Sequence, residues 1–60
     1  MKFKKFLELT SHTSAMFHHV LCIARPEDNR THHYFVSDMG IVFRIVVDNE
    51  TDEIVHIAND

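Results

Sequence analysis

Cys22 has no second cysteine to pair with, so an internal disulfide framework is excluded. Gly40 is the only glycine, which rules out the glycine-rich loops that cradle phosphates. Pro26 is the only proline, and there is no tryptophan. With 45% hydrophobic and 25% charged residues, the chain is too apolar and too poor in Gly and Pro for a disordered segment. No apolar run approaches the roughly 18 residues that a membrane helix needs. The opening MKFKKFLEL is followed by the polar TSHTS where a secretory signal would carry a longer apolar core. A cytoplasmic location is the expectation, and the lone thiol agrees with it.

A chain of 60 residues is one domain. At that size folding hides only about 60% of the surface the unfolded chain exposes. A core this small rarely supplies more than about 3–5 kcal/mol, and natural examples add a disulfide, a metal or a partner subunit. With the disulfide excluded, a homodimer is the expected solution.

The formal net charge of −3 is unevenly spread. Lys2, Lys4 and Lys5 crowd the start, Arg25, Arg30 and Arg44 are scattered, and Asp48 to Asp60 holds five acids with no Lys or Arg. Such asymmetry implies two unlike faces, or head-to-tail complementarity between protomers. A general nucleic-acid binder would carry a basic stripe and a high pI, whereas the pI here is about 6.0.

Three β-prone runs, 31–37, 41–48 and 53–58, are separated by short polar connections and predict an antiparallel meander. Asp38 and Gly40 suit a tight turn between the first two. In residues 13–25 the apolar Met16, Phe17, Val20, Leu21, Ile23 and Ala24 fill one arc at helical spacing, with Ser14, His18, His19 and Cys22 opposite. Ser11 or Thr13 would cap that helix, and Pro26 would stop it after Arg25. The competing reading makes 16–25 a strand, joined through a PEDN turn to 31–37, with Cys22 near His33. The opening KFKKFLEL is compatible with a short helix or an edge strand. The expected architecture is therefore α+β, with one main helix over about 13–25 on a three-stranded meander. An all-β meander or small barrel is the alternative.

The chemistry candidates are few. Six histidines are many for this length, and they include two adjacent pairs. His18 and Cys22, one helical turn apart, could be joined by His33 as metal ligands, but a closed zinc site needs four and a catalytic one three plus water. Neighbouring histidines on a strand point to opposite faces, and no CxxC or HExxH pattern is present, so no cofactor is expected. A thiol triad drawn through Cys22 and Asp38 lacks a cleft, so no catalytic residue is assigned. DNETDE begins like a calcium loop, but Glu53 and Asn59 stand where that loop requires Gly and Glu. It reads as a solvated turn whose acids could meet a basic partner.

Tyr34, Val36, Ser37, Asp38, Gly40 and Val42 form a Y-x-V-S-D-x-G-x-V pattern. It resembles the short modular DNA-binding motif that accompanies HNH-type homing endonucleases, over about a dozen residues. The resemblance implies a shared hairpin, with DNA contact by Arg44 or Ser37. The acidic tract that follows would repel phosphates.

Two apolar faces on the second strand, Ile41, Phe43, Ile45 and Val47 against Val42, Arg44 and Val46, exceed what one short helix covers. The expected function is therefore a small non-catalytic regulator or inhibitor, of the type carried by phages and mobile elements. It would bind another protein through Ile41, Phe43, Arg44, Ile45, Asp48, Glu50, Asp52 and Glu53. The alternative is a DNA-binding accessory module using Lys2, Lys4, Lys5, Arg25, Arg30 and Arg44. A metal-binding module stands third.

Overall fold

The computed structural model describes the backbone of residues 1–12 and 17–59, with side chains for 1–10 and 17–59. A helix α1 (Phe3–His12) precedes four strands: β1 (Phe17–Arg25), β2 (Arg30–Ser37), β3 (Val42–Asp48) and β4 (Ile54–Asn59). They form one antiparallel sheet in the order β1-β2-β3-β4, so every neighbour in sequence is a neighbour in space. The expected helix over 13–25 is thus corrected. The sheet has four strands and not three, and the helix lies at the N-terminus. Ser11 sits inside α1, and Thr13, Ser14 and Met16 lie outside the described residues.

The helical pattern read over 13–25 does not survive the pairing of β1. In β1, His19 pairs with Phe35, Leu21 with Tyr34 and Cys22 with His33, so Val20 is an extra residue. The residues facing α1 are therefore Phe17, His19, Cys22 and Ala24, spaced two, three and two apart. A bulge inserts one residue into an alternating pattern and shifts its phase. The apolar residues of the supposed helical arc thus fall on both faces of β1, Phe17 and Ala24 on the α1 side and Leu21 and Ile23 on the other, with Val20 at the bulge. The competing strand reading, with Cys22 opposite His33, matches the observed pairing.

The segment α1 uses for helix is better suited to one. Lys, Leu and Glu are strong helix formers, and Phe3 and Phe6 lie on one side of the first two turns. Both rings pack on the sheet. Phe3 joins Phe35, Ile45 and Val47 in the buried core, with Phe6, Phe43 and Ile54 against it.

The β2–β3 hairpin turns at Ser37–Gly40, closed by the Gly40 amide donating to Ser37 O at 2.9 Å. Gly40 has φ +81°, which a side chain would strain. Asp38 is not among the left-handed residues; the turn is held instead by Ser37 Oγ, which accepts from the Met39 and Ile41 amides. A 3-10 turn (Pro26–Asp28) and left-handed Asn29 link β1 to β2.

No helix among the described residues is long and apolar enough to cross a membrane.

Candidate functional site: the uncovered face of the sheet

Side chains alternate across a strand, and the register sorts this chain's residues into two unlike faces. On the α1 side the cross-strand rows are Ala24–Thr31–Val47–Ile54, Cys22–His33–Ile45–Ile57 and His19–Phe35–Phe43–Asn59, ending at Phe17–Ser37. All five phenylalanines lie on this side. Phe3 and Phe6 come from α1, and Phe17 meets Phe43 edge-on with ring centroids 5.2 Å apart. Phe35 stacks on Phe43 at 5.5 Å.

The opposite face carries the rows Arg25–Arg30–Asp48, Ile23–His32–Val46–His56, Leu21–Tyr34–Arg44–Ala58 and His18–Val36–Val42. Nothing among the described residues packs over it. Leu21 is 51% exposed and Ile23 39%. Val46 alone is buried, at 5%, yet it stands apart from the core beneath α1, so its neighbours on the face shield it. All three arginines fall on this face, although they are scattered in sequence. Arg25 and Arg30 are directly opposite one another, an arrangement that costs stability unless an anion lies nearby. Asp48, opposite Arg30 on its other side, offsets part of that charge. Arg44 sits in the middle of the face, and its Nε is buried with no hydrogen-bond partner among the described residues.

Of the acidic residues expected to meet a partner, Asp52 serves α1 and Glu53 the two residues before it. The first turn of α1 contains no acid, and Lys4 and Lys5 stand there, the wrong sign for a helix N-terminus. Asp52 corrects this from across the chain. Its carbonyl accepts from the Phe3 amide at 2.7 Å and its carboxylate Oδ2 from the Lys4 amide at 3.0 Å. Asp52 holds φ at +62° to do so, a conformation Asp tolerates better than most residues. Glu53 pairs with the N-terminal amine at 3.3 Å and with Lys2 Nζ at 3.7 Å. Lys2 Nζ also donates to Thr51 O. Asp48 Oδ1 accepts from the Glu50 and Thr51 amides at 2.9 and 3.2 Å. Those backbone donors, Thr51 first, hold its carboxyl below the usual carboxylate range. Only Glu50 projects as a plain exposed acid. The charge asymmetry of the sequence is therefore satisfied within one chain.

Other expected site residues separate likewise. Ile45 is 0% exposed and Phe43 is packed against the core, so their side chains serve α1, while Ile41 is exposed just before β3. Lys2, Lys4 and Lys5 lie at the helix start, away from Arg25, Arg30 and Arg44. His18 is on the uncovered face, with its Nε2 2.9 Å from Asp38 Oδ1, whereas Cys22 and His33 lie on the other side. No group of three His, Cys, Asp or Glu suited to a metal occurs among the described residues.

Sequence reasoning did not anticipate the histidine pair under α1. His33 Nδ1 and His19 Nε2 are 3.1 Å apart, so one ring donates and the other accepts. His33 stacks on Phe3 at 4.0 Å and His19 on Phe35 at 4.7 Å. Burial, then the neighbouring His19, lowers the His33 pKa from its ordinary value.

An open apolar depression of about 460 Å³ lies beside β4, lined by Met1, Phe6, Ile54, Val55, His56 and Ile57. His56 is its only ionisable side chain, so no acid–base pair converges there. The chain matches no protein-family model, no curated protein and no solved structure.

Proposed function

We propose that this is a small non-catalytic protein-binding module, a regulator or inhibitor that works through the uncovered face of its sheet. One observation carries the reading. Helix α1 packs on one face with all the phenylalanines, while the other displays Leu21, Ile23, Tyr34, Val36 and Val42 with none of the described residues packed over them. Contiguous apolar surface of that kind marks interaction sites in soluble proteins. Arg44 belongs to this surface and Asp48 borders it, whereas Ile41 is exposed just before β3, outside its rows.

A second reading has its own support. Arg25, Arg30 and Arg44 share the face with Tyr34, and open sheets with aromatic and basic side chains bind single-stranded nucleic acid. Ser37, the other contact implied by the homing-endonuclease resemblance, has its hydroxyl engaged by the hairpin turn.

The test is affinity capture from extracts of the cells that make the protein, comparing the wild type with a Leu21→Glu/Ile23→Glu variant. Both positions are exposed, so circular dichroism is expected to show the variant folded. The expected result is a stoichiometric protein partner retained by the wild type and lost by the variant. Identical captures, or capture of nucleic acid alone, would count against the reading.

A further inference from the structure

We infer that the uncovered face is built for an acidic, amphipathic protein segment, whose carboxylates meet the arginines and whose apolar side chains lie on Leu21, Ile23 and Tyr34. The inference rests on the protein-binding reading above and adds the chemistry of the partner.

Charge supplies the argument. The chain is net acidic, with nine Asp and Glu against six Lys and Arg. Its surface is nonetheless divided, because Asp52, Glu53 and Lys2 are tied into the junction of α1 with the β3–β4 turn. The uncovered face keeps three arginines against the carboxylate of Asp48 at one end and that of Asp38, engaged by His18, at the other. Arginine offers a planar fork that grips a carboxylate through two parallel bonds. Arg25 and Arg30, held side by side by their strand register, would repel each other in the free protein and be relieved by an incoming acid. Arg44 sits about two rows along the same strands, with Tyr34 beside it.

A second copy stacked on this face is the wrong partner, since three arginines would oppose three arginines. Nor can the second copy offer its acidic turn freely, because that turn caps its own helix. Between acidic protein and nucleic acid, the aliphatic side chains decide. Leu21, Ile23, Val36 and Val42 provide apolar area for apolar side chains, whereas bases are held mainly by stacking on aromatic rings. Tyr34 is the only Phe, Tyr or Trp on the face, and the other rings there are the smaller imidazoles of His18, His32 and His56.

The experiment uses the whole 60-residue chain and three synthetic amphipathic helical peptides with one shared apolar face. Their polar faces are made of glutamate, glutamine or lysine. Oligodeoxythymidine is the fourth probe, and binding is followed by fluorescence anisotropy at several salt concentrations. The glutamate peptide is expected to bind best, with affinity falling as salt rises, and Arg25→Ala/Arg30→Ala or Arg44→Ala to weaken it by roughly tenfold or more. Equal binding of all three peptides, lost in Leu21→Glu/Ile23→Glu, would overturn the acidic partner and leave the protein-binding reading standing. Oligodeoxythymidine as the tightest probe would overturn both in favour of nucleic acid. No binding of the glutamate peptide at low salt overturns this inference alone, and the capture experiment above then decides the broader reading.

Discussion

The two faces of this sheet are made from the same strands, yet one is occupied by phenylalanine and the other by arginine. Phe43 and Arg44 are consecutive, as are Tyr34 and Phe35, so each strand contributes alternately to both. The α1 face is closed over β2 and β3, with Ile45 and Phe35 buried, while Phe17, Cys22 and Ile57 at its edges stay exposed. The arginine face is equally wide and has no cover among the described residues. The difference separates the residues that fold the chain from those left over for another molecule, and substitutions on the two sides should divide accordingly.

The largest effect belongs to the closed face. Phe35 is 2% exposed and touches Phe3, Phe6, His19 and Phe43 through its ring. Phe35→Ala is expected to cost about 3–5 kcal/mol, which is on the scale of the whole stability of so small a domain. Urea denaturation should find the variant largely unfolded at 25 °C. Leu21→Ala, on the uncovered face, should change stability by no more than about 0.5 kcal/mol. Similar losses from both would erase the distinction between the faces.

Next comes the junction that seats α1. Asp52→Ala removes the carboxylate that accepts from the Lys4 amide, and is expected to cost about 1–2 kcal/mol, as lost helix caps do. Asp52→Asn retains an acceptor and tolerates the left-handed backbone, so it should recover about half of that loss in the same urea titration. If Asn and Ala behave alike, the interaction is one of charge and not of capping geometry.

A smaller effect is linked to pH. His33 binds its proton less readily in the folded protein than in the unfolded chain, whose pKa is 6.5. Between the lowered folded value and 6.5 the unfolded state therefore holds more protons, and stability rises with pH. It is fully present above 6.5 and declines as pH falls through that value, levelling off below the folded pKa. The hydrogen bond to His19 adds to the slope, since two protonated rings leave no acceptor. Thermal melts at pH 7.5 and 5.5 should show lower stability at the acidic value, and His33→Phe should flatten that difference. A pH dependence unchanged by His33→Phe would place its source elsewhere.

How much of this was legible in the sequence depended on whether the pattern was local. The runs now seen as β2, β3 and β4 carry their own signals, and Gly40 announced its turn. The register bulge at Val20 is invisible locally, because it is set by pairing with β2, and β1, apolar on both faces, carries no clean alternation to mark it as a strand. The excess of apolar faces on β3 was readable, but which face α1 would cover was not. That choice follows from Phe3 and Phe6, whose rings fit against Phe35. The acidic tract misled for a similar reason. Nothing in DNETDE indicates that Asp52 reaches the N-terminus of a helix some fifty residues earlier in the chain. The arginines, scattered over twenty positions, converge only once four strands are in register.

The smallest expected change in stability is also the one that separates the faces most cleanly. Ile45 and Arg44 are neighbours on β3, and Ile45→Ala should cost about 2–5 kcal/mol because it opens a cavity beneath α1. Arg44→Leu removes a guanidinium whose Nε is buried without an acceptor and keeps a side chain that can cover Val46. Removing an unmet buried donor is neutral or favourable, so the expected shift is between zero and about 1 kcal/mol towards greater stability. The same substitution should weaken binding of the glutamate peptide and lessen its salt dependence, with Arg25 and Arg30 carrying the remainder. A residue that is dispensable to the fold yet required for binding is held for a partner, and a loss of stability above about 1 kcal/mol would instead assign Arg44 to the sheet's own architecture.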